Sequence, residues 1–282
     1  MKLKCSQKVC LSVTNQKNKN VSSPPLRKLL GLERQQMIME ILRENKSVEV
    51  SYLSNVFNVS EVTIRKDLEK LERDGFLVRT HGGAVINDNL LFEPSFKEKE
   101  DQFIEEKMAI ASEAAKLIQN GMTIALTAGT TTSHIAKKIK HMKEITVVTN
   151  AINIATELMA VSGIKVFLTG GTIRPNSYAL VGSWAEKSLS GIFVDLAFVG
   201  VNGFSINHGL TTPNMEEARV NRLLMKAANQ VAVVADHSKF NKVTFSQIAT
   251  VSEIGIVITD RNAPIDQINQ LKKMGKKVII AQ

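Results

Sequence analysis

The stretch from Ser60 to His81, SEVTIRKDLEKLERDGFLVRTH, constrains the fold of this chain more than any other. Ser60 is a favoured N-cap residue and Gly75 is a favoured residue just past a helix end, so a helix is predicted between them. At roughly 100° per residue, one side of this helix is apolar. That side consists of Ile64, Leu68 and Leu71. The helix is therefore expected to pack on a core with its other side exposed.

The outer side of this helix combines a methyl group, a hydroxyl and two cations within its first two turns. These groups come from Val62, Thr63, Arg65 and Lys66. Base edges and phosphates are bound by side chains of these kinds, so the pattern favours a recognition helix for DNA. The alternative is an ordinary amphipathic surface helix, because charge runs commonly mark a solvated face.

The residues on both sides of this helix favour the DNA-binding interpretation. Phe76 to Thr80 and Ala84 to Ile86 are predicted to be strands joined by the His81-Gly82-Gly83 turn, which makes a wing. Upstream, helices are predicted at 33–44 and 50–57, with Met37, Ile38, Ile41, Leu42, Leu53 and Val56 inward and a tight turn at Asn58. The sequence thus predicts a winged helix-turn-helix, with the helix-turn-helix at about 50–69. The predicted DNA contacts are Ser60, Val62, Thr63, Arg65, Lys66, Arg73, Arg79 and His81.

The net charge of +9 does not itself indicate DNA binding. Residues 1–32 carry seven of the positive charges and no acid, and residues 33–81 have a net charge of −1. Local placement of cations must therefore bind any DNA. We predict a disordered basic tail at 1–32, whose Cys5 and Cys10 have neither the partners of a zinc site nor those of a disulfide framework. No apolar run approaches the roughly 18 residues of a membrane span, so a cytoplasmic protein without a membrane partner is expected.

After a predicted linker at 89–96, the pattern changes to one typical of an α/β domain at 97–282. A long helix is predicted from 97 to 120, with Ile104 and Met108 among its inward residues. Short Val- and Ile-rich runs then alternate with helical segments, which favours a mainly parallel sheet covered by helices on both faces. The predicted strands lie at 122–127, 145–149, 165–169, 196–201, 231–235, 254–259 and 277–281.

Ligands of such sheets bind at the carboxyl ends of the strands. The loops there combine glycines, hydroxyls, amides and cations, which suit a phosphorylated polyhydroxy compound. The predicted ligand-binding residues are Gly129, Thr130, Thr131, Thr132, Asn150, Gly170, Gly171, Arg174, Asp236 and Lys239. Each loop also has a purely structural interpretation: an N-cap or turn for the Gly-Thr-Thr segment and Asp236, and a solvated loop for Lys239. The spacing of His134, His141 and His208 does not fit a metal site, and no cofactor is predicted.

Several strings in this order resemble the DeoR/GlpR family of bacterial transcription regulators. They are VSEVTIRKDL, HGGA, EPSF, AGTTT, VVTN, TGG, HGLTTPN and ADHSKF, and together they extend from residue 33 to the C-terminus. The resemblance implies a DNA-binding domain at 33–88 and a sensor domain at 97–282 that is similar to ribose-5-phosphate isomerase and binds sugar phosphates. Thr127-Ala128 and Asn202 stand where acidic residues are common in that family, which weakens a catalytic interpretation.

We therefore expect a repressor of a sugar catabolic operon that binds double-stranded operator DNA and is released by a sugar phosphate. One helix buries too little surface for specific recognition, so a homo-oligomer, either a dimer or a tetramer, is expected. Two alternatives stay open at this point. One is a sugar-phosphate isomerase with a DNA-binding appendage, and the other is a DNA-binding protein whose C-terminal half only oligomerises.

Overall fold

A computed structural model of the protein describes residues 31–73, 77–86 and 93–282. The predictions for residues 1–30, for the helix end at Gly75, for Phe76 and for the first half of the linker, 89–92, lie outside the described residues. Within those three ranges, no helix has the length and apolar character needed to cross a bilayer.

The first part of the described chain is a winged helix-turn-helix. Its elements are α1 (Gly31–Asn45), β1 (Ser47–Glu49), α2 (Val50–Phe57), α3 (Glu61–Arg73), β2 (Leu77–Arg79) and β3 (Gly83–Ile86). Asn58 has the left-handed backbone (φ 49°) expected of the turn between α2 and α3. The wing is confirmed as an antiparallel pair of β2 and β3. The predicted connector at 47–49 is instead a third strand that pairs with β3.

Gly83 is required by the approach of β1 to the wing. A Cβ atom at Gly83 would lie 1.9 Å from the carbonyl oxygen of Val48, so no other residue fits without moving the strand. The HGGA string thus encodes a close contact between two strands, besides the turn that its spacing predicts.

The apolar side of α3 forms the core of this domain as predicted. Ile64, Leu68 and Leu71 are buried together with Ile38, Leu42 and Leu53. The predictions that Met37 and Val56 belong to the core are wrong, because each residue is 40% exposed. In α1 the buried stripe runs through Met39 rather than Met37, and in α2 Val50 and Leu53 provide the buried side chains.

A buried ion pair connects the first helix to α3. Asp67 of α3 accepts from the Nε of Arg34 at 2.6 Å and from the amide nitrogen of Gln35 at 2.9 Å. The Asp67 and Arg34 side chains are only 8% and 11% exposed. Because both carboxylate oxygens have donors from α1, this contact fixes how α3 is held against the rest of the domain.

The remaining chain forms an α/β domain. Its strands are β4 (Thr123–Leu126), β5 (Ile145–Thr149), β6 (Ile164–Leu168), β7 (Thr172–Arg174), β8 (Ala179–Val181), β9 (Val194–Gly200), β10 (Gly203–Ser205), β11 (Gly209–Thr212), β12 (Ala228–Val234), β13 (Ser246–Ala249), β14 (Ile256–Asp260) and β15 (Lys277–Ala281). Seven of them form one sheet in the order β15-β14-β12-β9-β4-β5-β6, and every pair in it is parallel. The predicted mainly parallel sheet is confirmed.

The antiparallel elements were not predicted from the sequence. The β7–β8 hairpin and the small β10-β11-β13 sheet consist of strands of three or four residues. Such short strands carry too little alternation to be distinguished from loops.

Helices cover both faces of the large sheet. They are α4 (Phe96–Glu100), α5 (Ile104–Ala115), α6 (Thr130–Lys138), α7 (Ile152–Leu158), α8 (Ser183–Ser188), α9 (Met215–Lys226) and α10 (Ile265–Lys273). One apolar core joins the sheet to α5, α6 and α7, and a second joins the opposite face to α8, α9 and α10. The expected three-layer α/β arrangement is thereby confirmed.

The prediction of one continuous helix at 97–120 is wrong. Phe103 has a left-handed backbone (φ 53°), which ends α4 and starts α5 in a new direction. The inward face of α5 accordingly shifts, so that Ile104 and Met108 are 42% and 43% exposed. The residues that α5 buries are Lys107, Ile110, Ala111 and Ala114.

The two domains share apolar contacts. Phe245, which precedes β13, is 9% exposed and belongs to the cluster formed by the winged-helix core. Met215, the first residue of α9, packs against the same cluster. The position of the DNA-binding domain therefore depends on the start of α9.

We predict that Asp67→Ala lowers the stability of the winged helix by roughly 3 kcal/mol, because the Arg34 cation loses its carboxylate inside the fold. Urea unfolding followed by circular dichroism measures this as a lower midpoint for the DNA-binding domain. Asp266→Ala, which removes an exposed acid in the other domain, is the matched control. Equal midpoints for the two variants would contradict the prediction.

Candidate functional site

The outer face of α3 presents the predicted DNA contacts at the surface. Ser60 caps the helix, since its hydroxyl accepts from the backbone N–H of Thr63 at 3.3 Å. Val62 is 63% exposed, which is unusual for a valine and leaves its methyl groups free to meet a base edge. Arg65 and Lys66 are exposed, and Arg65 pairs with Glu61 one turn earlier at 3.1 Å.

A groove opens between α3 and the wing. It is lined in part by Ser51, Tyr52, Arg65, Thr80 and Gly82. Tyr52 is 51% exposed and was not among the predicted contacts, because it lies on α2 rather than on α3. The fold thus brings α2, the start of α3 and the wing to one surface.

The predicted wing contacts differ in their surroundings. The guanidinium of Arg79 pairs with Glu69 at 3.0 Å, and its backbone N–H donates to Glu72 at 2.9 Å. Arg79 is therefore held against α3, while His81 is exposed at the turn. The side chain of Arg73 lies outside the described part of the chain.

The second site lies where the order of strands in the large sheet reverses. Strands β5 and β6 follow β4 on one side, and β9 begins the other side, so the carboxyl ends of β4 and β9 form the switch point where ligands of such sheets bind. A cavity is found there. It is lined by Phe96, Lys99, Ala128, Gly129, Thr130, Thr131, Ser177, Gly200, Val201, Asn202, Glu217, Val234, Ala235 and Lys239.

The Gly-Thr-Thr loop forms one wall of this cavity. Gly129 precedes α6 without any side-chain cap, so the first backbone N–H groups of the helix point to the end where Thr130 and Thr131 line the cavity. Thr132 does not line the cavity, because it is buried and its hydroxyl donates to the Gly129 carbonyl at 2.9 Å.

Several predicted ligand residues are occupied with structural contacts. Asn150 accepts from the backbone N–H of Ala128 at 3.0 Å and so fixes the loop from the neighbouring strand. Gly170 and Gly171 are exposed before the β7–β8 hairpin. Gly171 has φ +122°, and a Cβ there would lie 2.4 Å from the Val181 carbonyl oxygen. None of these three residues is part of the cavity lining.

Asp236 and Lys239 follow β12. Asp236 is fully buried and caps the short 3-10 helix His237–Lys239 by accepting from the Ser238 backbone at 3.0 Å, which is the structural interpretation that the sequence left open. Lys239 lines the cavity, and burial lowers its pKa although Asp236 acts in the opposite direction. Thr130 and Lys239 thus share one hollow, with Asp236 beneath it.

Arg174 lies at the centre of an ion-pair cluster beside the cavity. It pairs with Glu93 and with Glu217, the latter at 2.7 Å, and Lys99 pairs with Glu93 at 3.1 Å. The carboxylates of Glu93 and Glu217 are only 3% and 4% exposed. The sequence predicted Arg174 as a ligand residue but identified none of its partners.

The two acids of this cluster respond differently to their surroundings. Burial would raise the pKa of Glu93, but the hydrogen bond from Arg174 and the charge of Lys99 outweigh it and lower the pKa. Burial, and next the Glu93 carboxylate, raise the pKa of Glu217 despite the contact with Arg174. Glu93 is therefore the acid whose charge the two cations stabilise.

Lys107 is a buried cation below the same region. Its ammonium donates to the backbone carbonyls of Lys99 and Gln102, the latter at 2.5 Å. Burial lowers its pKa to about 8, with Asp236 acting in the opposite direction. A signal for this residue exists in the sequence, because Lys107 occupies the same helical stripe as Ile110, Ala111 and Ala114.

Glu93, Lys99 and Glu217 have no such local signal. The contact between Glu93 and Arg174 joins residues 81 positions apart, and only the folded chain brings them together. In the structure as described, no group of three or more His, Cys, Asp or Glu side chains is placed to hold a metal ion.

Fold and site together define a class of protein in which a winged helix is joined to an α/β domain with a cationic strand-end cavity. A model of the DeoR-like helix-turn-helix domain matches residues 34–89, and one of the DeoR C terminal sensor domain matches residues 102–261. The chain belongs to the DeoR family of helix-turn-helix transcriptional regulators.

Three relatives illustrate the similarity. The regulator GlpR of Haloferax volcanii is 38% identical over 89% of this chain and 98% of its own length. The regulator GolR of Listeria innocua is 36% identical over 90% and 100%, and the repressor GlcR of Bacillus subtilis is 36% identical over 81% and 88%. All three are named as transcriptional regulators, which supports a regulator rather than the alternative of an enzyme.

Solved structures are more distant. A ribose-5-phosphate isomerase from Methanocaldococcus jannaschii is 19% identical, with 48% of this chain and 53% of that chain covered and a TM-score of 0.36. The delta subunit of eIF2B from Chaetomium thermophilum is 16% identical, with 80% and 70% covered and a TM-score of 0.40. These scores are too low to support a functional argument.

We predict that Lys107 makes the free energy of unfolding change with pH in the alkaline range. Folding lowers its pKa from 10.5 to about 8, so between these values the unfolded chain keeps a proton that the folded chain has lost. Stability from this residue therefore rises with pH across that window. The free energy of unfolding of the parent, relative to that of Lys107→Met, should be higher at pH 9.5 than at pH 7.5. The same difference at both pH values would contradict this.

Proposed function

We propose that this protein is a repressor that binds operator DNA through the face of α3 and is released from it by a phosphorylated sugar. The observation that supports it most is the cavity at the β4–β9 switch point, where the start of α6, Lys99 and Lys239 surround one hollow. Uncapped helix N–H groups with converging cations favour a phosphate group. The name of the repressor GlcR agrees with the proposed direction of regulation.

For the effector, we propose that the phosphate binds at Gly129, Thr130, Thr131 and Lys239, which line the cavity. Arg174 contributes through the ion-pair cluster at its edge. Thr132, Asn150, Gly171 and Asp236 then act by shaping the loops, since each makes or requires a contact within the fold, and Gly170 adjoins Gly171 in the same loop. Asn202, whose side chain accepts from Thr212 at 3.2 Å, also lines the cavity, and we propose that it binds a sugar hydroxyl.

For DNA, we propose that Val62, Thr63, Arg65 and Lys66 contact base edges and adjacent phosphates, with Ser60, Arg73, Arg79 and His81 around them. A single α3 buries too little surface for specific recognition, so two copies of the chain would present paired helices to a two-fold operator. Such a protein acts in the cytoplasm, where both operator and sugar phosphate occur.

We predict that Arg65→Ala weakens binding to the DNA upstream of the gene for this protein by about 1–3 kcal/mol, because a cation at the groove is lost. Fluorescence anisotropy with a labelled fragment measures it. Arg261→Ala, an exposed arginine in the other domain, is the matched control. If both variants bind as tightly as the parent, Arg65 has no part in recognition.

We predict that a phosphorylated sugar raises the melting temperature of the parent, while the same sugar without its phosphate does not. A ligand at 100 times its dissociation constant adds about 2.7 kcal/mol to stability. Lys239→Ala should remove most of this gain, and Lys242→Ala, an exposed neighbour outside the cavity, should keep it. A panel that stabilises neither protein would favour the alternative in which the C-terminal half only oligomerises.

A further inference from the structure

The cavity in this structure is too small for the ligand that its chemistry suits. It encloses about 40 Å³, whereas sites for small ligands usually have roughly 300–1,000 Å³. A phosphate with its sugar can therefore enter only if some of the surrounding side chains leave. Two properties therefore matter: which side chain near the cavity can move, and which contacts it makes before the ligand binds.

Glu93 is the acid of the ion-pair cluster that is held least by its own backbone, and its partner Lys99 lines the cavity. It precedes α4 and belongs to no helix or strand, whereas Glu217 lies within α9 and Arg174 within β7. Its carboxylate is almost fully buried, with one oxygen on Arg174 and the other on Lys99 at 3.1 Å. A buried carboxylate between two cations makes the same charge-assisted hydrogen bonds that two oxygens of a phosphate would make.

The residues just after Glu93 are anchored. Ser95 and Glu98 form a capping box at the start of α4, and Phe96 is buried with its ring 4.9 Å from that of Tyr178. Glu93 can therefore swing out while α4 and Lys99 stay in place.

Building on the proposed function, we propose that Glu93 is an internal anion that neutralises Lys99, a cation of the cavity wall, and that phosphate must displace to bind this cation. A phosphate and Glu93 carry charge of the same sign and would compete for Lys99, which lines the cavity, so both cannot be bound to this cation at once. Removing the Glu93 charge would leave Arg174 with Glu217 as its acid and leave Lys99 available for the ligand.

This arrangement connects the ligand site to the DNA-binding domain by two routes. Glu93 lies seven residues after Ile86, the last residue of the wing strand β3. Glu217, the second partner of Arg174, lies two residues after Met215, which packs against the winged-helix core. Displacement of Glu93 would therefore alter the ion pairs of Arg174 next to the domain contact, and a ligand that requires it discriminates between two states of the protein.

The test is the binding of inorganic phosphate to the full chain, measured by isothermal titration calorimetry. Glu93→Gln keeps the shape but removes the competing charge, so it should bind phosphate about tenfold more tightly than the parent, by the gain expected when a competitor is removed. Glu105→Gln, an exposed acid at the start of α5, is the matched control and should bind like the parent. Lys239→Met should abolish binding in both backgrounds.

The possible outcomes separate this inference from the proposed function. Equal phosphate affinity in the parent and in Glu93→Gln, with loss of binding in Lys239→Met, would leave the phosphate site in place and overturn the role of Glu93. Failure of both proteins to bind phosphate would overturn the proposed site and the inference with it.

A measurement on the unmutated chain covers the case in which Glu93→Gln does not fold. Hydrogen exchange of the parent should become faster in a peptide that contains Glu93 when phosphate is added, and slower at the start of α6. Unchanged or slower exchange around Glu93 in the phosphate complex would overturn the displacement.

Discussion

The contact on which the sensor half depends is the one between Arg174 and two buried carboxylates. A guanidinium with a single carboxylate is neutral as a pair, but here Glu93 and Glu217 both face Arg174, and Lys99 supplies the second positive charge. Buried charges of this kind are tolerated only when all of them are paired. The cluster is therefore complete by itself, and an anion that binds Lys99 or Arg174 would have to replace one of its members.

Under the proposed function, this balance would let the site bind phosphate selectively without binding it irreversibly. The start of α6 and Lys239 offer a fixed positive environment, because Gly129 leaves the helix end uncapped and Lys239 is held near Asp236. In our proposal the part that changes is Glu93, which pairs with Lys99 of the cavity wall. A ligand would bind the rigid groups favourably, and part of that binding free energy would offset the cost of moving Glu93. Binding would in this way be coupled to a conformational change.

The sequence was sufficient where a signal is local. Ser60 predicts the start of α3, Asn58 the left-handed turn before it, and the spacing of Ile64, Leu68 and Leu71 its buried side. It failed where one residue changes the direction of the chain, as at Phe103, or where strands have only three or four residues. In the candidate site, the strand-end loops could be predicted from topology, but the partners of Arg174 could not, since no pattern relates residues so far apart.

The place of Phe245 within the winged-helix core has a consequence for how members of such a family can diversify. A DNA-binding domain taken from one protein and fused to the sensor domain of another would keep its own core residues. It would, however, pack against a different side chain at position 245. Chimeras are thus expected to respond to their inducer only when the residues at 215 and 245 are exchanged together with the domain. Exchange of one domain alone would therefore disturb the contact through which the two domains pack.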